Sequence, residues 1–261
     1  MLAEALVKSE VRPVHFRHAV SDDRNASATT RGSARCDDCR LRGQCMPEGL
    51  SQAGLEEFRS LVFSHRRLHT GQPLYRSGEP FQAVYLVRAG FLKTVVLLED
   101  GREQVTGLYM PGDMLGMDGI ALGAHASDAI ALVDSDVCVV PYERLEAMGD
   151  DGRPMRRHLH RMLSGEIVRE QRMMLLLGTM SAGERVAAFL LNLSQRFAAR
   201  GFSGSEFALR MTREEIGSLL GIKLETVSRI FSRLQKDELI EIDGKHVRIV
   251  SIEGLQQLTY R

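Results

Sequence analysis

No stretch of this chain reaches the ~18 consecutive apolar residues that a membrane-spanning helix needs, so no membrane span is expected. The first twenty residues, Met1 to Val20, lack a basic opening followed by an apolar run. They do not resemble a secretory signal, and a cytoplasmic location is expected. Neither sign of charge is in excess, since 34 Lys and Arg balance 34 Asp and Glu. Bulk charge therefore does not advertise nucleic-acid binding, and the case for it has to rest on local residues. A dinucleotide fingerprint, a P-loop and a nucleophile elbow are all missing, and the eight histidines are scattered. No catalytic constellation is visible, and an enzyme is not expected. Cysteine is scarce, at four residues.

Those four are not spread evenly. Cys36, Cys39 and Cys45 fall in one ten-residue run, Cys36-Asp-Asp-Cys39-Arg-Leu-Arg-Gly-Gln-Cys45, and Cys138 stands far downstream. In a reducing compartment clustered cysteines point to metal binding or redox chemistry rather than to a disulfide frame. Four thiols are the number that a tetrahedral zinc or an iron–sulfur cluster takes, and none is left over. Arg35, Arg40 and Arg42 favour the thiolate that any such ligand must become. Cys-x2-Cys serves zinc and iron alike. Cys138, within Asp136-Val-Cys-Val-Val140, would on its own be a small buried hydrophobe. The residues by themselves leave a zinc site, a thiol redox switch and an iron–sulfur cluster open.

With 261 residues there is room for two domains. Residues 1–35 carry a Ser/Thr/Ala/Asn/Arg-rich stretch without apolar period, expected as a flexible tail. Residues 36–50 hold the cysteines. Ser51 can cap a short helix with Leu55, Phe58, Leu61 and Val62 on its apolar face. From there to residue 150 short apolar runs alternate with Gly71, Gly78, Gly90, Gly101, Gly112, Gly116 and further glycines, the texture of a β-roll. Residues 152–178 predict one long helix opened by Pro154. Leu159, Leu163, Ile167, Glu170, Met174 and Leu177 form a narrow seam along it, of the kind that pairs helices of two copies.

Residues 179–261 predict a second domain. Thr212 and Glu215 make a capping box, Gly221 breaks the helix it opens, and another helix runs from about Leu224 to Lys236. Asp243-Gly244 between two β-like runs signals a hairpin. Together these predict a winged helix-turn-helix. In its second helix Val227, Ile230, Phe231 and Leu234 should face inward, leaving Glu225, Ser228, Arg229 and Ser232 outward. Arg can give two hydrogen bonds to guanine and Glu can accept one from cytosine, so Glu225, Ser228 and Arg229 are candidates for base readout. Lys223, Thr212 and Arg213 are candidates for phosphate contact.

This α+β order of roll, long helix and winged helix resembles the Crp/Fnr family of bacterial transcription regulators over residues 50–255. The resemblance lies in Gly71…Leu74-Tyr75…Gly78-Glu79, Tyr85-Leu-Val-Arg-Ala-Gly90, Pro111-Gly-Asp113…Gly116 and Glu225-Thr-Val-Ser-Arg229. With Cys-x2-Cys-x5-Cys and Cys138 it narrows to the oxygen-sensing Fnr subgroup. The resemblance implies a [4Fe–4S] cluster on Cys36, Cys39, Cys45 and Cys138. It also implies a homodimer on palindromic double-stranded DNA with TTGAT-like half-sites read by Glu225, Ser228 and Arg229, and contact with RNA polymerase near Gly101. The acidic residue of the subgroup's dimer helix falls on Glu170, and Gln44 stands where the subgroup often has an apolar residue. A cyclic nucleotide is not expected. The stretches that would hold one are Gly116-Met117-Asp118 and Ser127-Asp128-Ala129, which lack the phosphate-binding arginine and place Asp128 where it would repel an anion.

Overall fold

Short β-rich runs closed by left-handed glycines pair into two antiparallel sheets in the N-terminal half. The computed structural model describes residues 29–30, 39, 41, 56, 64–98, 100–147 and 153–259. The expected helix capped by Ser51 lies outside these residues apart from Glu56, as do Cys36 and Cys45. The first sheet holds β1 (Thr29–Thr30), β2 (Ser64–Leu68), β9 (Ser135–Pro141), β4 (Ala83–Ala89) and β7 (Met114–Leu115), in the order β1-β2-β9-β4-β7. The second is ordered β3 (Pro73–Tyr75), β8 (Asp128–Ala131), β5 (Leu92–Leu97), β6 (Glu103–Tyr109). Gly90 shows why glycine punctuates the roll. At φ 88° a side chain there would be strained, and its Cβ would lie 2.6 Å from the Ser135 Cα.

The first sheet is apolar on both faces because strand side chains alternate. Val87 and Val137 point into the roll with Leu68, Leu74, Leu92 and Leu115. Val84, Leu86 and Val140 point outward and pack with Met114 and Leu145. Leu145 belongs to α1 (Tyr142–Glu146). The next helix, α2 (Arg153–Thr179), is about 40 Å long at 1.5 Å per residue. Its Leu159 and Met162 cover that outer platform. At its other end Met173 and Leu176 pack into the C-terminal core. The expected seam is therefore divided. Its ends, Leu159 and Leu177, are half-buried within their own chain, while Ile167 and Met174 at its middle are 59% and 72% exposed.

The C-terminal domain follows the expected order. It comprises α3 (Ala182–Ala198), β10 (Glu206–Ala208), α4 (Arg213–Leu220), α5 (Leu224–Lys236), β11 (Ile240–Asp243), β12 (His246–Ile249) and α6 (Ile252–Thr259). Capping boxes open both α3, through Ser181 and Glu184, and α4, through Thr212 and Glu215. Gly221 ends α4 at φ 63°, as a left-handed cap requires.

Three features were not expected. The strand β1 pairs with β2 inside the stretch taken as a flexible tail, because an open sheet edge recruits backbone and needs no side-chain pattern. Both β10 and α6 complete the winged domain. The boundary at residue 179 is also no packing boundary, since Val95, Val105 and Leu108 of the roll share one core with Val186, Phe189, Leu190 and Ile216.

Candidate DNA-reading face and cysteine site

The helix α5 divides as its 3.6-residue period demands. Val227, Phe231 and Leu234 are buried and Ile230 is half-buried. Glu225, Ser228, Arg229 and Ser232 are all exposed on the opposite side. Lys223 occupies the N-cap of α5 and is exposed. Among the helix's outward groups, Arg233 reaches Asp237 at 3.6 Å. The wing is the sheet β10-β12-β11, with Gly244 at φ 58° in its turn.

Thr212 and Arg213 have structural work of their own. Thr212 Oγ1 accepts the Glu215 N–H at 3.1 Å. The Arg213 guanidinium lies 3.6 Å over the Phe231 ring and so ties α4 to α5. It is half-buried, and burial lowers its pKa. One of its nitrogens, Nη1, is buried without a hydrogen-bond partner.

The sequence reading missed what clasps this domain to the roll. Asp113, 7% exposed, accepts the Met110 N–H at 2.8 Å, is bonded by Arg196, and is bonded by Arg200 at 2.6 Å. Arg196 also donates to the Leu108 carbonyl at 2.9 Å. Across the second contact Lys93 Nζ meets Glu215 Oε1 at 2.7 Å, and the Val105 N–H donates to Ser218 Oγ at 2.8 Å. Arg196, in the last turn of α3, and Arg200, just past its end, are four residues apart, which was the available signal.

Cys138 sits on β9, half-buried on the outer platform beside Leu86, Leu159 and Met162. Pairing registers place Thr30 opposite His65, and His65 opposite Cys138. Neighbouring strands are ~4.8 Å apart, so Thr30 lies about 10 Å from Cys138 along this row. Cys36 follows six residues later, within a reach of about 20 Å. The cysteine segment thus leaves the sheet edge close enough to meet Cys138. Cys39 and Cys138 are both half-buried. Among the described residues no three His, Cys, Asp or Glu side chains gather as a metal site, two of the four cysteines lying outside them. The donor set as far as described, soft thiols with one on an apolar platform, fits an iron–sulfur cluster or zinc.

Two domain families match the chain. The cyclic nucleotide-binding domain matches residues 65–151, and the Crp-like helix-turn-helix domain matches residues 184–258. The transcriptional activator protein FnrA of Stutzerimonas stutzeri is 43% identical over 85% of this chain and 91% of its own. This chain belongs to the Crp/Fnr family. Another relative in the family, the fumarate and nitrate reduction regulatory protein of Escherichia coli K12, is 40% identical over 85% of this chain and 89% of its own. Among solved Crp/Fnr structures FixK2 of Bradyrhizobium japonicum is 34% identical, with a TM-score of 0.68 over 74% of this chain and 96% of its own. The chain is accordingly a DNA-binding transcription regulator and not an enzyme.

Proposed function

We propose that this Crp/Fnr protein is a cytoplasmic, oxygen-responsive regulator of genes for anaerobic metabolism, and that a [4Fe–4S] cluster on Cys36, Cys39, Cys45 and Cys138 promotes its dimerisation on DNA. The observation that carries the reading is the row Thr30–His65–Cys138, which starts the cysteine segment within reach of the fourth thiol. Support also comes from the relatives named as Fnr-type activators. When bound, the cluster supplies chemistry that oxygen can destroy. The chain's own part is to supply the thiolates, to hold Cys138 on the platform that α2 covers, and to present α5 outward. Protein purified without oxygen should show visible absorption and bind a palindrome with TTGAT-like half-sites, and should lose both in air. Stoichiometric zinc without visible absorption would decide for the zinc alternative.

A cyclic nucleotide is not part of this reading. Asp118 accepts from the Ala126 N–H at 2.9 Å and from Ser127 Oγ at 3.1 Å, and it faces His125 Nδ1 at 3.2 Å. Burial pushes its carboxyl up, but hydrogen bonds from His125, Ala126 and Ser127 outweigh this and hold it below the usual range. An anion entering here would meet a carboxylate already taking those donors.

In this reading Glu225, Ser228 and Arg229 specify bases, while Lys223 contacts phosphate. Arg229→Ala should cost on the order of 1–3 kcal/mol at the cognate half-site and much less at a mismatched one. Titrations on both duplexes at fixed salt measure this. Equal losses would exclude base readout by Arg229. RNA polymerase is assigned to the loop at Gly101, whose neighbours Leu97 and Leu98 are each 40% exposed.

The homodimer uses the exposed middle of α2. Ile167, Glu170 and Met174 share one stripe, so parallel pairing brings Glu170 toward its own symmetry mate. At about 6 Å and an effective dielectric near 20, two like charges repel by roughly 3 kcal/mol. Glu170→Ala should therefore dimerise and bind DNA more tightly than the wild type in air. Sedimentation of the air-exposed variant as pure monomer, like the wild type, would remove this charge as the brake.

A further inference from the structure

The outer face of the first sheet holds a polar chain that ends on Cys138. Arg88 Nη1 donates to Asp136 Oδ2 at 3.1 Å. Asp136 Oδ1 lies 3.4 Å from His65 Nδ1, yet makes no hydrogen bond. The His65 Nδ1 contact with hydrogen-bond geometry is instead to Cys138 Sγ, at 3.9 Å. The imidazole is 12% exposed, and its other nitrogen, Nε2, is buried with no hydrogen-bond partner.

We propose that His65 is a positioning residue for the cluster, its Nδ1–H donating a hydrogen bond to the Cys138 thiolate. This rests on the cluster reading above. A proton on Nε2 would leave a buried donor orphaned, whereas a proton on Nδ1 has the sulfur as its acceptor, with the Asp136 carboxylate 3.4 Å away. Once Cys138 is a thiolate it can only accept, so the proton belongs on Nδ1. An N–H donated to a ligating sulfur draws charge from the iron–thiolate bond and fixes the sulfur's direction. The pair is set by register, His65 being directly opposite Cys138 on β2 and β9, and Arg88 holds the carboxylate that steadies the ring. The consequence is that His65 slows oxidative loss of the cluster.

The test compares His65→Leu, His65→Asn and His65→Gln, each reconstituted without oxygen. Asn carries an amide N–H near the Nδ1 position, Gln carries it near Nε2, and Leu carries none. Readouts are iron and sulfide per chain, the rate at which visible absorption bleaches in air-saturated buffer, and the melting curve of the cluster-free protein. Leu and Gln should bleach roughly tenfold faster than the wild type, with Asn close to the wild type. If Leu does not fold, the Asn and Gln pair decides. Equal bleaching in all four proteins overturns the proposal. Fast bleaching in Asn and Leu alike overturns it too, since ring packing rather than the N–H would then matter. A wild type that takes up no cluster at all would instead sink the function proposed above, and this inference with it.

Discussion

Asp113→Ala should lower the unfolding free energy by about 3–5 kcal/mol, the largest stability loss expected from a single polar substitution here. The carboxylate is 7% exposed and is the counter-charge for two guanidiniums, Arg196 at 16% and Arg200 at 10% exposure. Removing it strands both cations in the contact between the roll and α3. Burial already lowers the pKa of Arg200, and Asp113 opposes that shift. Without Asp113 the desolvation stays and the compensation goes. Asp113→Asn should cost less, because its carbonyl can still accept one of the bonds. The double variant Asp113→Ala/Arg200→Met should recover part of the loss by deleting one stranded charge. Denaturant titration of the cluster-free proteins measures all three. An Asp113→Ala chain within 1 kcal/mol of the wild type would mean that this clasp contributes no net stability.

Why was this clasp hidden when the winged domain was not? The Thr212–Glu215 capping box, the Gly221 stop and the Asp243-Gly244 turn are local signals, set by a few consecutive residues. So is the two-sided period of α5, and all of these appear in the structure where the sequence puts them. Asp113 meets Arg196 across 83 residues and Arg200 across 87. No periodicity carries such a pairing. The same holds for Lys93 with Glu215, and for His65 with Cys138, which only strand register brings together. The pattern for α2 was legible as a stripe. What covers each part of it was not, because Leu159 finds the roll, Leu177 is half-buried beside Leu176 at the C-terminal core, and the middle, Ile167 to Met174, is left exposed. The β1 strand left no mark at all, since edge pairing uses backbone alone.

Cys138→Ser should abolish the cluster, leaving iron and sulfide near zero, and should bring dimerisation and specific DNA binding in the absence of oxygen down to the level of the air-exposed wild type. The argument runs through the outer platform. Cys138 touches the same cluster of side chains as Leu159 and Met162, two residues by which α2 packs on the roll. A cluster anchored at Cys138 would add contacts beside the first turns of α2, and losing it would withdraw them. Loop ordering of this kind shifts an equilibrium only by its differential contact with the two states, which here is the cysteine segment held or released. The alternative is that Cys138 merely packs. The two roles separate in the iron content, not in the melting of the protein without its cluster. A packing cysteine changed to Ser would cost about 1 kcal/mol in the melting of that form and leave iron uptake unchanged. A ligand changed to Ser would carry the same cost in that form and would remove the iron as well. Cys138→Ala serves as the second variant, because it places no hydroxyl on the apolar face. Both variants should lose the cluster as completely as Cys39→Ser does. Normal iron and sulfide in either Cys138 variant would take this residue out of the site and end the proposed coupling between the cysteine segment and α2.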